Sequence, residues 1–379
     1  MNILMAEHTH YRSIFQVGCH HIARGLRKKG HRITYVSRFL SPTLPINFRE
    51  KKIRFVNYLK GGEIESNGIY TYVPFTFLPL IKFPLLDNDW IAKKAVLCTI
   101  PKLAQFCQKR GPFDAFLVGD PFFVPIMPFV DCDQTILRLT DNLTAFDHVP
   151  KAAHVLLEQG LNACDKVIVT SQPLLKMLKM DAIQKPVYYV PNGVDYAHFS
   201  KTDLPEPSDL KNIPHPRAIY VGALDDWFDA DLLERSASHL KDVSFVIIGP
   251  PKIDLNRIGA FPNVHILGPR SYDLVPHYLA HSDVGIIPFK KNQLTDCVSP
   301  VKLYEYMASG LPVVSVKWKE LQAIRSPARL AKDDSHFIHL MTEAIENSGD
   351  QMKIKTFAKE NSWSKRVDDI ERIINSSEY

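Results

Sequence analysis

The sequence is poor in the features that mark secreted, zinc-binding and membrane-spanning proteins. Its six cysteines among 379 residues form no C-x-x-C pair, and no His/Cys cluster has the spacing of a zinc site. The opening MNILMAEHTHYRS contains no apolar signal core, and no run of about 18 apolar residues occurs anywhere. These absences predict free thiols in a reducing cytoplasm and no helix that spans a bilayer.

A large excess of one charge sign is also missing. Lys and Arg number 46 against 41 Asp and Glu, and the formal charge of +5 is too mild to argue for nucleic-acid binding. It fits an anionic substrate or an anionic membrane surface. No G-x-G-x-x-G follows a predicted strand, which disfavours a Rossmann dehydrogenase. The length and the 45% hydrophobic content are typical of a globular protein with two domains.

Short apolar runs alternate with longer helical patterns along the chain. In the second half the runs begin at positions 218, 244, 264, 284 and 312, so each interval holds one helix and two short loops. This spacing predicts repeated βαβ units, hence an α/β fold with parallel sheets covered on both faces. The predicted strands are 2–7, 32–37, 69–75, 115–119, 134–140, 166–170, 187–190, 218–224, 244–249, 264–267, 284–289 and 312–316.

A break in this pattern separates the two predicted domains. Pro191, Asn192 and Gly193 are followed by a polar, proline-rich stretch at 201–216 before the next strand. We therefore predict domains at 1–193 and 194–363, with a last helix within 364–379 that begins after Trp363.

The segment 296–314, DCVSPVKLYEYMASGLPVV, contains the strongest indications of a ligand-binding site in the sequence. Ser299 is expected as the N-cap of a short helix over 301–309, with Pro300 at its first position and Gly310 as its C-terminal cap. The helix N-terminus offers backbone N–H groups and a positive dipole end to a phosphate. The segment therefore predicts a phosphate site at Ser299 and Val301.

Two charged side chains on this helix extend the predicted site. Lys302 lies in the first turn, where a lysine opposes the helix dipole unless an anion is close. Glu305, three residues on, shares its face and can accept hydrogen bonds from ribose hydroxyls. A surface Lys–Glu pair is the simpler interpretation of this spacing. The helix caps and the strand–helix–strand context favour a nucleoside diphosphate.

Here a resemblance to a known family becomes specific. The string PVKLYEYMASGLPVV resembles the nucleotide-sugar motif of GT-B glycosyltransferases, and KVIVTS, VPNGVD, AIYVGAL and FVIIGP resemble further segments of that fold in the same order. NSWS resembles the tryptophan segment before a helix that returns to the first domain. The resemblance implies two Rossmann-like domains facing a cleft, with the acceptor bound by the first and a nucleoside-diphosphate sugar by the second.

Within that superfamily the sequence is most similar to xanthan-type glucuronosyltransferases. YRSIFQVGCHHIA, the helix start PVK and RLTDNLTAF carry this likeness. It implies an inverting, membrane-associated hexosyltransferase that extends a polyprenyl-diphosphate-linked oligosaccharide in exopolysaccharide or cell-surface glycan synthesis. It also implies that Lys302 binds the diphosphate and Glu305 the ribose, with a UDP-sugar, glucuronate by likeness alone, as donor.

The retaining branch of the superfamily has two glutamates eight positions apart. Counting back from Glu305 reaches Cys297, and Asp296 is out of register. The missing glutamate argues against a retaining enzyme of the common kind. A retaining transferase stays open as an alternative, as does a nucleotide-sugar epimerase or a non-catalytic sugar-nucleotide-binding protein of the same fold.

Asp141 is the predicted catalytic base. An inverting transfer needs one general base at the acceptor hydroxyl, and Asp141 follows the strand 134–140 at the edge where α/β sheets bind ligands. The likeness of the LTDN segment supports this role, although Asp141 could simply cap the next helix. Asp120, at the end of another strand and before Pro121, is the rival and could be a turn residue.

Other residues complete the predicted site. His20, Tyr11 and Arg12 follow the first strand and are candidates for acceptor contact, although a lone histidine is more often structural. Gly222 and Leu224 end the first strand of the second domain, where a small residue lets a ligand approach. Phe289 could pack on uracil or in the core. Arg270 or Lys290 could share the diphosphate charge with Lys302.

The sequence predicts no metal, and membrane contact is an open alternative. Three D-x-D strings, at 87–89, 131–133 and 229–231, lie at no convincing strand end beside the diphosphate, and the helix dipole with Lys302 can balance the leaving group. The apolar segment 72–90 is interrupted by prolines and lies near basic runs at 24–29 and 51–60. It fits either a peripheral contact with the inner face of the cell membrane or a packed loop.

Overall fold

The computed structural model describes residues 1–13, 15–42, 48–78, 87–143, 149–180 and 183–376. The chain forms two compact units. Unit 1 comprises Met1–Pro191 and Val367–Tyr379, and unit 2 comprises Asn192–Arg366. The chain enters unit 2 beside the predicted boundary at 193 and leaves it within its last helix.

Unit 1 is built on a sheet whose strand order is β3-β4-β2-β1-β5-β6-β7-β8. β3 pairs antiparallel with β4, and the other pairs are parallel. The strands are β1 (Asn2–Glu7), β2 (Arg32–Ser37), β3 (Glu63–Ile64), β4 (Tyr70–Tyr72), β5 (Ala115–Val118), β6 (Thr135–Leu139), β7 (Lys166–Val169) and β8 (Val187–Tyr189).

The helices of unit 1 cover this sheet because the central strands are apolar on both faces. They are α1 (Gly18–Lys28), α2 (Phe48–Leu59), α3 (Asp89–Leu97), α4 (Leu103–Arg110), α5 (Lys151–Ala163) and α6 (Gln172–Met180). The proline-rich segment Pro121–Phe129 forms a 3-10 helix after β5, and the rings of its internal Pro125 and Pro128 would clash with the preceding turn of a regular α-helix.

Unit 2 has a parallel sheet in the order β11-β10-β9-β12-β13-β14. Its strands are β9 (Arg217–Val221), β10 (Ser244–Ile248), β11 (Val264–Gly268), β12 (Val284–Ile287), β13 (Val313–Val316) and β14 (Arg329–Ala331). Its helices are α7 (Tyr196–Phe199), α8 (Ala230–His239), α9 (Asn256–Gly259), α10 (Val275–Ala280), α11 (Gln293–Asp296), α12 (Val301–Ala308), α13 (Lys319–Ile324), α14 (Asp334–Glu346) and α15 (Gln351–Glu360).

The last helix, α16 (Trp363–Asn375), starts in unit 2 and ends in unit 1. Its Val367, Ile370 and Ile374 are buried. Lys166 at the start of β7 donates from Nζ to the Ile373 carbonyl at 2.8 Å. The end of α16 is thereby fixed to the sheet of unit 1.

The α/β prediction is confirmed, and every predicted run contains a strand. The strand ends differ by a few residues, because the last apolar residues of several runs turn out of the sheet. The sequence prediction missed β3 and β14, which are too short to show a periodic pattern. Within the part of the chain that the structure describes, no helix has both the length and the apolar character needed to cross a membrane.

Candidate nucleotide-sugar site

The helix α12 begins one residue later than predicted. Pro300, with ψ at 115°, is its N-cap, so Ser299 is not the cap, and that prediction was wrong. The extended ψ of Pro300 places Pro300 itself outside the helix, so the capping position moves from Ser299 to Pro300. The helix ends at Ala308, and Gly310 has φ at 85°, the left-handed conformation of a helix stop.

Ser299 instead holds the chain that enters unit 2. Its side chain is 3% exposed. The Asn192 side chain donates to the Ser299 carbonyl at 2.8 Å, and the Asn192 amide donates to Ser299 Oγ at 3.4 Å. The turn before α12 is therefore fixed by a residue far away in sequence.

Lys302 lies on a shelf of aromatic rings. Its Nζ is 4.9 Å from the ring centre of Phe289 and 5.2 Å from that of Tyr220. Such contacts stabilise a cation without satisfying its three N–H donors. Among the residues that the structure describes, Lys302 Nζ has no hydrogen-bond or ion-pair partner. The half-buried ammonium is therefore free to bind an anion.

Glu305 follows Lys302 by one turn and is also half-buried. Burial raises the pKa of Glu305 to about 7, and Lys302 opposes the shift. Burial also lowers the pKa of Lys302 to about 8, and Glu305 opposes that shift. Within the described ranges the Glu305 carboxylate has no hydrogen-bond partner either. Each charge is destabilised by its surroundings, which is typical of groups that wait for a ligand.

Gly222 completes the space around Lys302. A Cβ at Gly222, where φ is 154°, would lie 2.9 Å from Lys302 Nζ. A Cβ at Gly249, the residue after β10, would lie 1.8 Å from the Gly222 carbonyl oxygen. Two glycines thus let the ends of β9 and β10 approach each other and leave room for the ammonium.

Three residues that were predicted to contact the donor make contacts with other residues of unit 2 instead. The Leu224 side chain is fully buried in the core, and its amide donates to the Pro250 carbonyl at 3.1 Å. Phe289 stacks on Trp318 with ring centres 5.6 Å apart, so it packs in the core below Lys302. Arg270 donates to the Tyr278 hydroxyl at 2.7 Å and pairs with Asp209.

In unit 1, Asp141 follows β6 and is half-buried. Burial raises the pKa of its carboxyl, and hydrogen bonding to Thr140 and the charge of Arg138 oppose the shift. The segment 144–148, where a helix capped by Asp141 would continue, lies outside the described residues. Asp141 remains a prediction as the catalytic base.

Asp120, the rival base, is fully buried and occupied. Arg38 binds both of its carboxylate oxygens, at 2.6 and 2.9 Å. The Phe122 amide donates to the same carboxylate at 3.1 Å, so Asp120 also caps the 3-10 helix. These contacts favour a structural role.

His20, Tyr11 and Arg12 lie after β1 but make structural contacts. His20 is fully buried, its Nε2 lies 3.0 Å from the His10 carbonyl, and burial lowers its pKa to about 4. The Asn67 side chain donates to the Tyr11 hydroxyl at 2.8 Å, and Arg12 pairs with Glu63 and Glu65. The partners of Tyr11 and Arg12 lie in β3 and the segment after it, more than 50 residues further along the chain, so no local pattern indicates them.

Two of the three D-x-D strings make structural contacts. Asp87 accepts from the Lys151 and Ala152 amides at the start of α5, and Asp229 caps α8. Over the described ranges, no three His, Cys, Asp or Glu side chains are placed to hold a metal ion. Metal independence stays a prediction.

Tyr220, Trp318, Glu7 and Arg138 were not singled out from the sequence. Tyr220 forms the aromatic shelf under Lys302 together with Phe289, and Trp318 stacks on Phe289. Glu7 and Arg138 are buried charged residues at strand ends, and that combination of residue type and position is the signal that could have found them.

Comparison with known proteins decides the fold. Anabaena HepE in complex with UDP-glucose superimposes with a TM-score of 0.69, covering 99% of each chain at 15% identity. Sucrose-phosphate synthase from Thermosynechococcus elongatus superimposes with a TM-score of 0.68, covering 98% of this chain and 96% of that one at 15% identity. The chain has the GT-B fold.

Sequence comparison points to unit 2 of this GT-B chain. Residues 215–347 match the family described as glycosyl transferases group 1, a stretch that runs from β9 to α14 and includes Lys302 and Glu305. A Bacillus subtilis (strain 168) protein, provisionally named as the teichuronic acid biosynthesis glycosyltransferase TuaH, is 28% identical over 174 residues. That alignment spans 44% of this chain and 44% of the Bacillus protein. The xanthan-type likeness is not confirmed by these matches.

Proposed function

We propose that the protein is an inverting glycosyltransferase that moves a sugar from a UDP-sugar to a saccharide acceptor. The observation that carries the proposal is the pair Lys302 and Glu305, half-buried and without hydrogen-bond partners in the described part of the chain, at the start of α12. The UDP and UDP-glucose complexes of HepE support a uridine donor.

In this proposal the donor binds at the N-terminus of α12. The amides of Val301 and Lys302 precede the first helical hydrogen bond, which runs from Leu303 to Pro300, so they can donate to a phosphate. The Lys302 ammonium binds the diphosphate, and the Glu305 carboxylate accepts from ribose hydroxyls. The helix and Lys302 stabilise the charge of the leaving UDP, so no metal is needed.

Asp141 is the proposed general base. Its carboxylate takes the proton of the acceptor hydroxyl as that oxygen bonds to the anomeric carbon. The bond from the anomeric carbon to the UDP oxygen breaks, UDP leaves with the electron pair, and the anomeric configuration inverts.

The decisive experiment is NMR of the product formed from a UDP-sugar and a saccharide acceptor. We expect an inverted anomeric centre, full activity in EDTA and loss of transfer in Asp141→Asn with donor binding intact. Asp133→Asn, in the turn before β6, is the matched control. Transfer retained by Asp141→Asn would refute the base assignment.

A retaining transferase is the second candidate, since one structural neighbour is a UDP-forming alpha,alpha-trehalose-phosphate synthase from Burkholderia xenovorans, with a TM-score of 0.69 at 13% identity. Cys297, at the position of the absent glutamate, is buried and offers no carboxylate. A product with retained configuration would favour this candidate. An epimerase would convert the sugar nucleotide with no acceptor present, so omission of the acceptor separates it from both transferases.

A lipid-diphosphate-linked acceptor on the inner face of the cell membrane is part of the proposal. A cavity of about 330 Å³ in unit 1 is lined by Leu40, Ser41, Pro42, Lys51, Lys52, Phe55 and Phe75. Phe55, which lines this cavity, has an exposed side chain. Leu59 and Phe77, near the lining residues in sequence, are also exposed. Apolar side chains beside lysines suit a surface of anionic lipid.

Vesicle sedimentation tests this contact. We expect binding to vesicles with anionic lipid, weak binding to neutral vesicles, and a loss of binding in Phe55→Ser with Phe77→Ser. Met352→Ser, an exposed apolar residue of unit 2, is the control. Equal binding by the double variant and the wild type would refute this surface.

A further inference from the structure

Glu7 is a buried acid that the proposed transfer does not use. It is the last residue of β1, only 2% exposed, and its Oε1 has no hydrogen-bond partner in the part of the chain that the structure describes. A buried carboxyl oxygen without a hydrogen-bond partner is costly, so the position of Glu7 at the carboxyl edge of the sheet needs an explanation.

The sheet register places Glu7 in a row with Gly119 and Arg138. Ala6 pairs with Val118, and Val118 pairs with Leu137, so the next residues along β1, β5 and β6 are Glu7, Gly119 and Arg138. The Gly119 amide donates to the Ala6 carbonyl at 2.9 Å, which continues this pairing past the end of β5. Residues in one row of a parallel sheet share a face.

Gly119 leaves the space that the Glu7 carboxyl group occupies. A Cβ at position 119 would lie 2.0 Å from Glu7 Oε2 and 2.9 Å from Glu7 Oε1. The carboxyl group thus lies over the Gly119 backbone. The side chain of Glu7 extends from β1 across β5, in the direction of β6 and Arg138. Arg138 is 4% exposed, and its charge acts on Glu7 and on Asp141, three residues further along the chain.

The described groups around Glu7 act in opposite directions. Asp120 after β5 repels a negative charge there, and Arg138 attracts one. Burial raises the pKa of Cys19 in α1 and of Tyr35 in β2, and the negative charge of an ionised Glu7 would raise both further. Burial outweighs Arg138 and raises the pKa of Glu7 to about 8.

We propose that Glu7 is a positioning residue of the Asp141 site and that it works in its proton-bearing form, as a neutral carboxylic acid over Gly119. A neutral Glu7 occupies the space beside Arg138 without weakening the attraction between the positive charge of Arg138 and the carboxylate of Asp141. An ionised Glu7 would compensate that charge and make Asp141 harder to keep as a carboxylate. The role at Asp141 rests on the proposed function, whereas the protonation of Glu7 does not.

The activity test compares Glu7→Gln with Glu7→Ala. Glutamine imitates the neutral acid, so we expect kcat within about threefold of wild type and an unchanged acidic limb of the kcat–pH profile. Glu7→Ala should lower kcat at least tenfold with the KM for the donor unchanged. If Glu7 were ionised in the wild type, removal of its charge in Glu7→Gln would shift the acidic limb to lower pH. The proposal would be overturned by that shift of the acidic limb. It would also be overturned if Glu7→Gln were as inactive as Glu7→Ala, or if both variants were fully active.

The second test needs no activity. An acid whose pKa is higher in the folded than in the unfolded chain loses stabilisation as pH rises from its ordinary value to its folded value. The Tm of the wild type, relative to Glu7→Gln, should therefore fall between about pH 4.5 and about pH 8 and then level off. Glu346→Gln, an exposed control in unit 2, should show no such trend. A constant Tm difference between wild type and Glu7→Gln would refute the neutral acid even if Asp141 proves not to be the base.

Discussion

At the scale of single residues, the chemistry of unit 2 depends on Lys302. Its ammonium lies against Phe289 and Tyr220, and Gly222 leaves it room. A cation placed this way gains from the rings but still has donors to offer. An anion that binds there completes the hydrogen bonding of Lys302. Arg270 is already paired with Asp209, so Lys302 is the proposed ligand of the diphosphate.

Lys302→Ala should weaken UDP binding about tenfold to a hundredfold, the range expected for loss of a charge-assisted hydrogen bond to a phosphate. Titration calorimetry with UDP measures the change. Lys291→Ala, an exposed lysine in the same unit, is the matched control and should bind like wild type. Equal affinity in Lys302→Ala and the control would remove the nucleotide assignment.

The pH dependence of donor binding follows from the same pair. Glu305 accepts hydrogen bonds through both carboxylate oxygens only when it is ionised, above a pKa of about 7, and Lys302 is cationic only below a pKa of about 8. The affinity for UDP-glucose should be greatest between these values and fall on both sides.

Two variants separate the two limbs. Lys302→Arg should remove the alkaline limb, because arginine stays charged, and Glu305→Gln should remove the acidic limb. Calorimetry across the pH range measures both. A flat profile in the wild type would show that neither group titrates in the site.

At the scale of elements, the helix α12 is placed by a loop that sequence reasoning read only as a domain boundary. Asn192 fixes Ser299 through two hydrogen bonds, and the Arg366 side chain donates to the Asn192 carbonyl at 3.3 Å. Val194 and Ser362 pair as a parallel bridge, so the two segments that join the units are bonded to each other within unit 2.

Asn192→Ala should lower the free energy of unfolding by about 1–3 kcal/mol, because the Ser299 carbonyl loses the donor from the Asn192 side chain. It should also weaken UDP binding, because the first turn of α12 is no longer held. Chemical denaturation and calorimetry measure the two effects. Asn256→Ala, an exposed residue at the start of α9, is the control. Unchanged UDP affinity would show that α12 keeps its place without Asn192.

At the scale of the whole molecule, α16 makes unit 1 depend on the end of the chain. Ile370 is fully buried, and a Cβ on Gly25 of α1 would lie 2.5 Å from Val367. Unit 1 therefore includes Val367 and Ile370 of α16 in its core.

Ile370→Ala should lower the free energy of unfolding by about 2–5 kcal/mol, the cost of a cavity in a packed core. Denaturant unfolding measures the loss, and Leu274→Ala, an exposed leucine, should lie near wild type. A small loss for Ile370→Ala would mean that α16 is dispensable for unit 1.

The sequence by itself determined the α/β class, the order of the strands along the chain and the helix that carries Lys302 and Glu305. Those features are local: apolar runs, proline and glycine at helix ends, and residues one helical turn apart. Only the tertiary structure decided what surrounds them. The ring shelf of Tyr220 and Phe289, the hold of Asn192 on Ser299, the pairing of Arg38 with Asp120 and the row of Glu7 with Arg138 all join residues far apart in the chain. Their burial and their partners depend on sheet register and on which strands are neighbours, and no periodic pattern in one segment encodes either.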